Sequence, residues 1–255
     1  DGDGDKATGS LKVLVNDDTP TGGAGTTAWL NDDTLTGGNP GGVGDNGLAN
    51  TNNVLKHSFG ADGPGGIAWT GITVTSGGKQ ADFTTSVSTD GKTLQVFQKG
   101  TLVITAVLDP LTGKYALTQN AAIAHAPGGD ENEIQFKFNY DVTDGDGDVA
   151  PGYIWVNVDD DTPTGGAGTT AWLNDDTLSG GNPGGVGDHG LANTNNVLKH
   201  SFGADGPGGI AWTGITVTSG GKQADFTTKV SADGTTLQVF QKGTLVITAV
   251  LDPLT

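Results

Sequence analysis

The chain has 255 residues and a formal net charge of −17, with 27 aspartates, two glutamates, 45 glycines and no arginine, cysteine or methionine. A surface this acidic repels nucleic acid and anionic membranes, so we expect neither as a partner. No apolar run approaches the ~18 residues of a membrane-spanning helix, which argues against membrane insertion.

A long internal repeat organises the chain. Residues 17–112 return as residues 160–255 at an offset of 143 residues, with five differences. The differing pairs are Thr36/Ser179, Asn46/His189, Ser86/Lys229, Thr89/Ala232 and Lys92/Thr235. We predict the last strand of a preceding repeat at 1–16, a complete repeat at 17–159 and a partial second repeat at 160–255. A unit of 143 residues can bury its own core without disulfides.

Short alternating apolar runs, separated by glycine-rich turn formers, predict an all-β fold. A first strand is expected at 27–30, inside the glycine-rich stretch 21–52. The following strands are predicted at 53–59, 67–75, 83–88, 93–98, 101–108, 114–118, 133–142 and 149–158. Their number and spacing favour tandem immunoglobulin-like β-sandwich domains of the cadherin-like kind.

The strand at 133–142 shows the clearest alternation. Its apolar positions predict one buried face made of Ile134, Phe136, Phe138 and Tyr140. We also expect Trp69, Trp155 and Trp212 to pack in the core. The alternative, a platform on which sugars stack, has no support in the neighbouring sequence.

Two kinds of acidic cluster predict binding of a hard cation. In DGDGD the glycines permit the tight curvature by which alternate carboxylates converge on one ion. The second kind is the acidic linker before the TP dipeptide. The predicted Ca²⁺ ligands are Asp1, Asp3, Asp5, Asp17, Asp18, Asp144, Asp146, Asp148, Asp159, Asp160 and Asp161.

Other interpretations of these clusters stay open. DGDGD could be a solvated acidic turn, and it lacks the closing glutamate of an EF-hand, because Trp155 stands at that position. The NDD runs at 31–33 and 174–176 fit a turn or cap as well as a ligand set.

Strand length predicts which clusters meet. Ten residues at 149–158 span roughly 33 Å, so the loop at 144–148 should lie at the opposite end of the domain from Asp159–Asp161. The same loop should lie near Asp17 and Asp18. We therefore expect each junction between repeats to gather an acidic linker and the DGDGD loop of the following domain around Ca²⁺.

The stretch 113–163 carries a resemblance. It resembles the 143-residue repeat of the large RTX-like adhesins that Gram-negative bacteria export by type I secretion. The matching elements, in order, are Tyr115, His125, Glu131 with Asn132, Ile134–Val142, Asp144–Asp148 and Asp159–Pro163. The resemblance implies an extracellular, cell-surface location, a stalk that takes part in biofilm adhesion, and folding by Ca²⁺ after export.

The sequence favours a structural extender, whose partners are the neighbouring repeats and other copies of the adhesin. The alternative is a module within such an adhesin that binds a glycan or a protein, although no unique insertion interrupts the repeat. We do not expect an enzyme, because His57, His125, His189 and His200 lack the spacing of metal ligands and no nucleophile elbow occurs.

Overall fold

A computed structural model describes residues 2–254. These residues form β-strands and short 3-10 turns, and none of their helices is long and apolar enough to cross a membrane. The chain divides into two compact units, one of residues 2–31 with 44–160 and the other of residues 32–43 with 161–254. The prediction of an all-β protein is confirmed.

The first unit contains eleven strands. Their bounds are β1 Thr21–Gly22, β2 Ala24–Asn31, β3 Asn52–Val54, β4 His57–Ser58, β5 Pro64–Ser76, β6 Phe83–Val87, β7 Thr93–Gln98, β8 Thr101–Leu108, β9 Lys114–Gln119, β10 Glu133–Asp144 and β11 Val149–Asp159. A 3-10 turn at Gln80–Asp82 precedes β6. The alternating runs placed most strands within a few residues, but the predicted strand 53–59 is divided into β3 and β4 by the buried Leu55.

Two main sheets build this unit. One has the strand order β2-β11-β10-β5 and the other has β3-β9-β8-β7-β6, while β1 pairs with β4. All pairs are antiparallel except β11 with β2, which is parallel. The long β10–β11 hairpin therefore occupies the centre of the first sheet, and its turn lies at one end of the unit.

Side chains from both sheets share one hydrophobic core. Trp69 of β5 lies edge-on to Tyr115 of β9, with ring centroids 6.4 Å apart. Phe83 of β6 lies edge-on to Phe136 of β10 at 5.0 Å. The predicted buried face of β10 is confirmed, because Ile134, Phe136, Phe138 and Tyr140 are at most 1% exposed.

The core prediction is correct for Trp69 but wrong for Trp155. In β11 the neighbours of Trp155, Ile154 and Val156, are the residues that point into the core, so Trp155 lies half-buried on the outer face of the sheet. There it packs against Tyr153, with the ring centroids 5.4 Å apart. The Lys137 ammonium lies 4.2 Å from the Tyr153 ring centre and 4.9 Å from that of Trp155. Apolar residues on both faces of β11 misled the prediction.

The second unit repeats only part of this architecture. Its strands are β12 Thr164–Gly165, β13 His200–Ser201, β14 Phe226–Val230, β15 Thr236–Gln241 and β16 Thr244–Val250, with β14, β15 and β16 forming one sheet. Residues 207–219 have the sequence of β5 yet form no strand. Among the described residues no strand pairs with this segment, which instead makes single backbone hydrogen bonds, from Ile210 to Pro253 and from Trp212 to Gly234. Trp212 is accordingly only half-buried, contrary to the core prediction.

The predicted strand within residues 1–16 does not form among the described residues 2–16, which are exposed. By the 143-residue offset, this segment corresponds to β11. In the complete repeat β11 pairs with β10, whereas residues 2–16 pair with no strand in the described part of the chain. An isolated strand lacks ladder hydrogen bonds and a buried face, so it is not stable alone.

Candidate metal centre

The turn of the β10–β11 hairpin folds around the carboxylate of Asp144. Its Oδ1 accepts hydrogen bonds from the amides of Gly147 at 3.1 Å and Asp148 at 2.8 Å. The Asp144 amide donates to the Asp148 carbonyl at 3.1 Å, which closes the turn. Gly147 has φ +105°, a conformation that side chains disfavour, so the glycine is required here. The sequence DGDGD thus forms a compact acidic turn.

Three carboxylates converge in this turn. One oxygen from each of Asp144, Asp146 and Asp148 lies within 4.8 Å of the other two. Asp144 is 2% exposed, and its Oδ2 is buried without a hydrogen-bond partner in the described part of the chain. Burying an unpaired carboxylate oxygen is costly, and a bound cation would remove that cost.

A second group of carboxylates shares Asp146 with the first. Oxygens of Asp17, Asp62 and Asp146 also lie within 4.8 Å of one another. Asp17 comes from the linker. It lies beside the β10–β11 turn, as the length of β11 predicts. Asp62 lies in the turn between β4 and β5. We name the five residues Asp17, Asp62, Asp144, Asp146 and Asp148 the acidic pole.

Sequence reasoning missed Asp62. The strand pairing that carries it to the acidic pole is β5 with β10, in which Pro64 lies opposite Asp144. The backbone approaches closely here, since a Cβ on Gly145 would collide with the Asp62 carbonyl. The signal in the sequence was the turn ADGPGG directly before a strand, but it becomes informative only with the register of β5 and β10.

The crowding of these carboxyl groups raises the pKa values of two of them. The pKa of Asp146 is raised from 3.8 to about 6, chiefly by the Asp144 carboxyl, which would share a proton with it, and further by desolvation and the charge of Asp17. The pKa of Asp62 is also raised, first by desolvation and then by the charges of Asp17 and Asp144. A cation at the acidic pole would offset this repulsion at neutral pH.

Asp18 supports the acidic pole without joining it. Its Oδ2 accepts a hydrogen bond from the Ala61 amide at 2.7 Å, and its own amide donates to Asp17 Oδ1 at 3.1 Å. These contacts tie the linker to the turn that carries Asp62. The repeat-mate of Asp18, Asp161 in the second unit, likewise accepts from the Ala204 amide.

The other predicted ligands have separate surroundings. Asp159 is buried, and its Oδ2 accepts from the Asn46 amide at 2.7 Å. Burial is the main cause that raises the pKa of Asp159. Asp160 Oδ1 lies 3.2 Å from Nδ1 of the buried His125. Within the first unit, Asp159 and Asp160 therefore face different partners.

The N-terminal DGDGD motif does not reproduce the acidic pole. Asp3 and Asp5 are exposed and belong to neither carboxylate group found among residues 2–254. Asp1 lies outside the described residues. In the NDD run of the second unit, Asn174 Oδ1 accepts from the Asp176 amide at 2.8 Å. That run therefore caps a 3-10 turn, which was one of its two interpretations.

Comparisons with known proteins identify one family. Residues 13–154 match the model of the DUF5801 family, described as a domain of unknown function. No curated protein and no solved structure matches the chain. The matched segment runs from the linker through most of β11, and so includes every residue of the acidic pole. Since it covers more than half of the chain, this protein belongs to the DUF5801 family.

Proposed function

We propose that the repeat is an extender domain of a bacterial cell-surface adhesin, with an immunoglobulin-like fold, and that Ca²⁺ at the acidic pole stabilises it. The observation that carries the proposal is the buried Asp144, whose Oδ2 lacks a partner at the point where the acidic carboxylates converge.

The donor set favours Ca²⁺ over other metals. The acidic pole offers only carboxylate and backbone oxygens, without histidine or cysteine, so zinc and copper are poor candidates. Ca²⁺ accepts six to eight oxygens in flexible geometry, whereas Mg²⁺ demands a near-ideal octahedron. Carboxylates that come from two irregular turns and the linker, at unequal positions, suit the larger and more tolerant ion.

The ion would cross-link three segments of the chain. Asp17 belongs to the linker that enters the unit, Asp62 to the β4–β5 turn, and Asp146 to the β10–β11 turn. A cation shared by the three would hold the linker against the body of the domain. A linker fixed in this way has fewer orientations, which in a tandem array produces a stiffer and longer stalk.

The repeat supports the extender role independently of the metal. Two copies that differ at five of 96 aligned positions suit a structural element used many times, and no insertion gives one copy a distinct surface. Extracellular modules commonly bind Ca²⁺ with dissociation constants of roughly 10⁻⁴–10⁻³ M. The sites would be empty inside the cell and filled outside it, so export could precede folding.

Calorimetric titration of residues 17–159 tests the proposed site. Wild-type protein should bind Ca²⁺ and bind Mg²⁺ more weakly, while the Asp144→Asn/Asp146→Asn variant should lose the Ca²⁺ signal. The matched control is Asp130→Asn, at an exposed position with φ +56°, which asparagine tolerates. Equal binding by the double variant and the control would refute the assignment of the acidic pole.

A second candidate function, glycan binding, is favoured by the half-exposed Trp155 and Tyr153 on the outer face of the first sheet. Aromatic rings of this kind can stack on sugars, although a sugar must compete with the Lys137 ammonium that lies over both rings. The test is a screen of neutral polysaccharides by tryptophan fluorescence. A response that Trp155→Ala abolishes would support this function, and no response would exclude it for the glycans tested.

A further inference from the structure

Asn46 and Gly47 form the only Asn–Gly pair in the sequence. The pair lies in an exposed irregular segment just before Ala49, which forms an isolated bridge with Trp29 of β2. The Asn46 amide donates to Asp159 Oδ2 at 2.7 Å, and its carbonyl accepts from Asn31 Nδ2 at 3.1 Å. The backbone of Asn46 is therefore held in place. Its side chain is exposed, and Nδ2 donates to the Gly44 carbonyl at 2.7 Å, which leaves Cγ accessible.

Gly47 leaves the Asn46 side chain open to attack. A Cβ built at Gly47 would meet nothing within 4 Å. The Gly47 amide donates to no residue in the described part of the chain. Its nitrogen is thus not occupied by a hydrogen bond, and no side chain at position 47 shields the neighbouring carboxamide. These are the conditions under which a backbone nitrogen can reach the preceding asparagine side chain.

We propose that Asn46 is a site of spontaneous deamidation that changes the first repeat with age. The Gly47 nitrogen attacks Asn46 Cγ and forms a new N–C bond. The Cγ–Nδ2 bond breaks, and the amine leaves as ammonia with the proton that the Gly47 amide loses. Water then opens the cyclic imide at either carbonyl. The products are aspartate or isoaspartate at position 46, and the net change is the gain of water and the loss of ammonia.

The surroundings give this change a structural consequence. Backbone and side-chain hydrogen bonds from Asn46 lower the pKa of Asp159, opposing the larger effect of burial. Deamidation replaces the side-chain donor with a carboxylate beside Asp159 and next to Asp45, which binds Asn31 Nδ2 at 2.7 Å. The new charge repels both carboxylates, so the segment that covers the end of β11 should loosen.

The second repeat has an internal control for this chemistry. The 143-residue offset places His189 opposite Asn46, one of five differences between the copies. Histidine has no carboxamide and cannot form the imide. His189 packs on Trp172, with ring centroids 4.3 Å apart. Ageing would therefore alter copies that carry asparagine at this position and spare those that carry histidine.

The experiment is peptide mapping by mass spectrometry during prolonged incubation of the whole chain in mildly alkaline buffer. We expect the peptide with Asn46 to gain the mass difference between an amide and an acid and to separate into two isomers. The peptide with His189 should stay unchanged. Gly47→Ala should slow the reaction severalfold, since a methyl group hinders ring closure and the site has room for it. Asn46→His should abolish it.

The wild-type segment as a free peptide gives the reference rate. Asn46 that stays intact in the folded chain while the free peptide converts would overturn the proposal. An unchanged rate in Gly47→Ala would overturn the cyclic route. The structural consequence is tested separately, because Asn46→Asp should melt at a lower temperature than fresh wild-type protein. Equal melting temperatures would show that the new carboxylate does not loosen the segment.

Discussion

Phe138 at the centre of β10 is the most exacting test of the core. Its side chain is fully buried and lies edge-on to Trp69 and Phe136, with ring centroids 6.3 and 6.2 Å away. Its neighbours across the sheet are Ile72 and Ile154. Phe138→Ala removes an aromatic ring from a position walled by other large side chains, which cannot all move inward. We expect a loss of about 3–5 kcal/mol in the free energy of unfolding.

That loss is a large fraction of the roughly 5–15 kcal/mol that stabilises an ordinary domain. Urea denaturation of residues 17–159 at a fixed calcium concentration measures it, and the slope with denaturant should not change. The matched control is Val107→Ala, since Val107 is 47% exposed on β8 and should matter by less than about 1 kcal/mol. A loss below about 1 kcal/mol for Phe138→Ala would remove β10 from the core and refute the assigned packing.

Three further predictions follow from the acidic pole, the divided repeat and one glycine. The folded-state pKa of Asp146 is raised from 3.8 to about 6, so between these values the folded protein binds the proton more tightly than the unfolded chain. Metal-free protein should therefore lose stability as the pH rises through that window in thermal melts, and Asp146→Asn should reduce this dependence. A fragment of residues 160–255, which lacks the counterparts of β10 and β11, should be unfolded or self-associate in ultracentrifugation, whereas 17–159 should fold alone. Gly152→Ala should lower the free energy of unfolding by about 1–3 kcal/mol, because the added methyl group would collide with the Tyr140 ring.

Each of these has a clear contrary result. Metal-free stability that rises between pH 4 and 6 would show that Asp146 is not the dominant titrating group. A monomeric 160–255 fragment that melts cooperatively would place the repeat boundaries elsewhere. An unchanged denaturation curve for Gly152→Ala would mean that the β11 backbone does not pass so close to Tyr140.

Alternation predicted the strands well because the buried face of a sheet demands apolar residues at every second position. In β10 the polar residues Lys137 and Asn139 clearly identify the face of the strand that points away from the core. In β11 both faces carry apolar residues, so alternation alone could not tell whether Trp155 or Ile154 points inward. Tyr153 and Trp155 are tolerated on the outer face because the Lys137 ammonium on the adjacent strand lies over both rings.

The two copies of one sequence show how far local pattern determines structure. Pro64–Ser76 is a thirteen-residue strand, whereas the identical residues 207–219 form none. The difference is that β10 pairs with the first copy, whereas no strand among the described residues pairs with the second. Ile104 is fully buried, but its repeat-mate Ile247 is 38% exposed. Strand formation here depends on partners distant in sequence, and no local propensity could reveal it.

The acidic pole was predictable in part for the same reason. The DGDGD motif and the length of β11 sufficed to predict that Asp17 of the linker lies near Asp146, since they place the hairpin turn at the end of the domain where the linker enters. Asp62 depends on the register of β5 against β10, which is a tertiary fact. Asp18 and Asp159 are acidic residues of the same kind, yet their carboxylates accept backbone amides, from Ala61 and Asn46. The sequence alone cannot tell an aspartate that binds a metal from one that accepts hydrogen bonds from backbone amides, because the difference depends on the path of the backbone around it.

Small-angle scattering tests the extender proposal most directly. The sample is a polypeptide of several complete 143-residue repeats, measured in EGTA and in about 5 mM Ca²⁺, above the range in which extracellular modules bind this ion. We expect calcium to lengthen the particle and narrow its distribution of end-to-end distances, and the Asp144→Asn/Asp146→Asn change in every repeat to abolish both effects. Scattering curves that coincide with and without calcium, from a sample shown to be folded, would contradict the proposal that the ion fixes the linker.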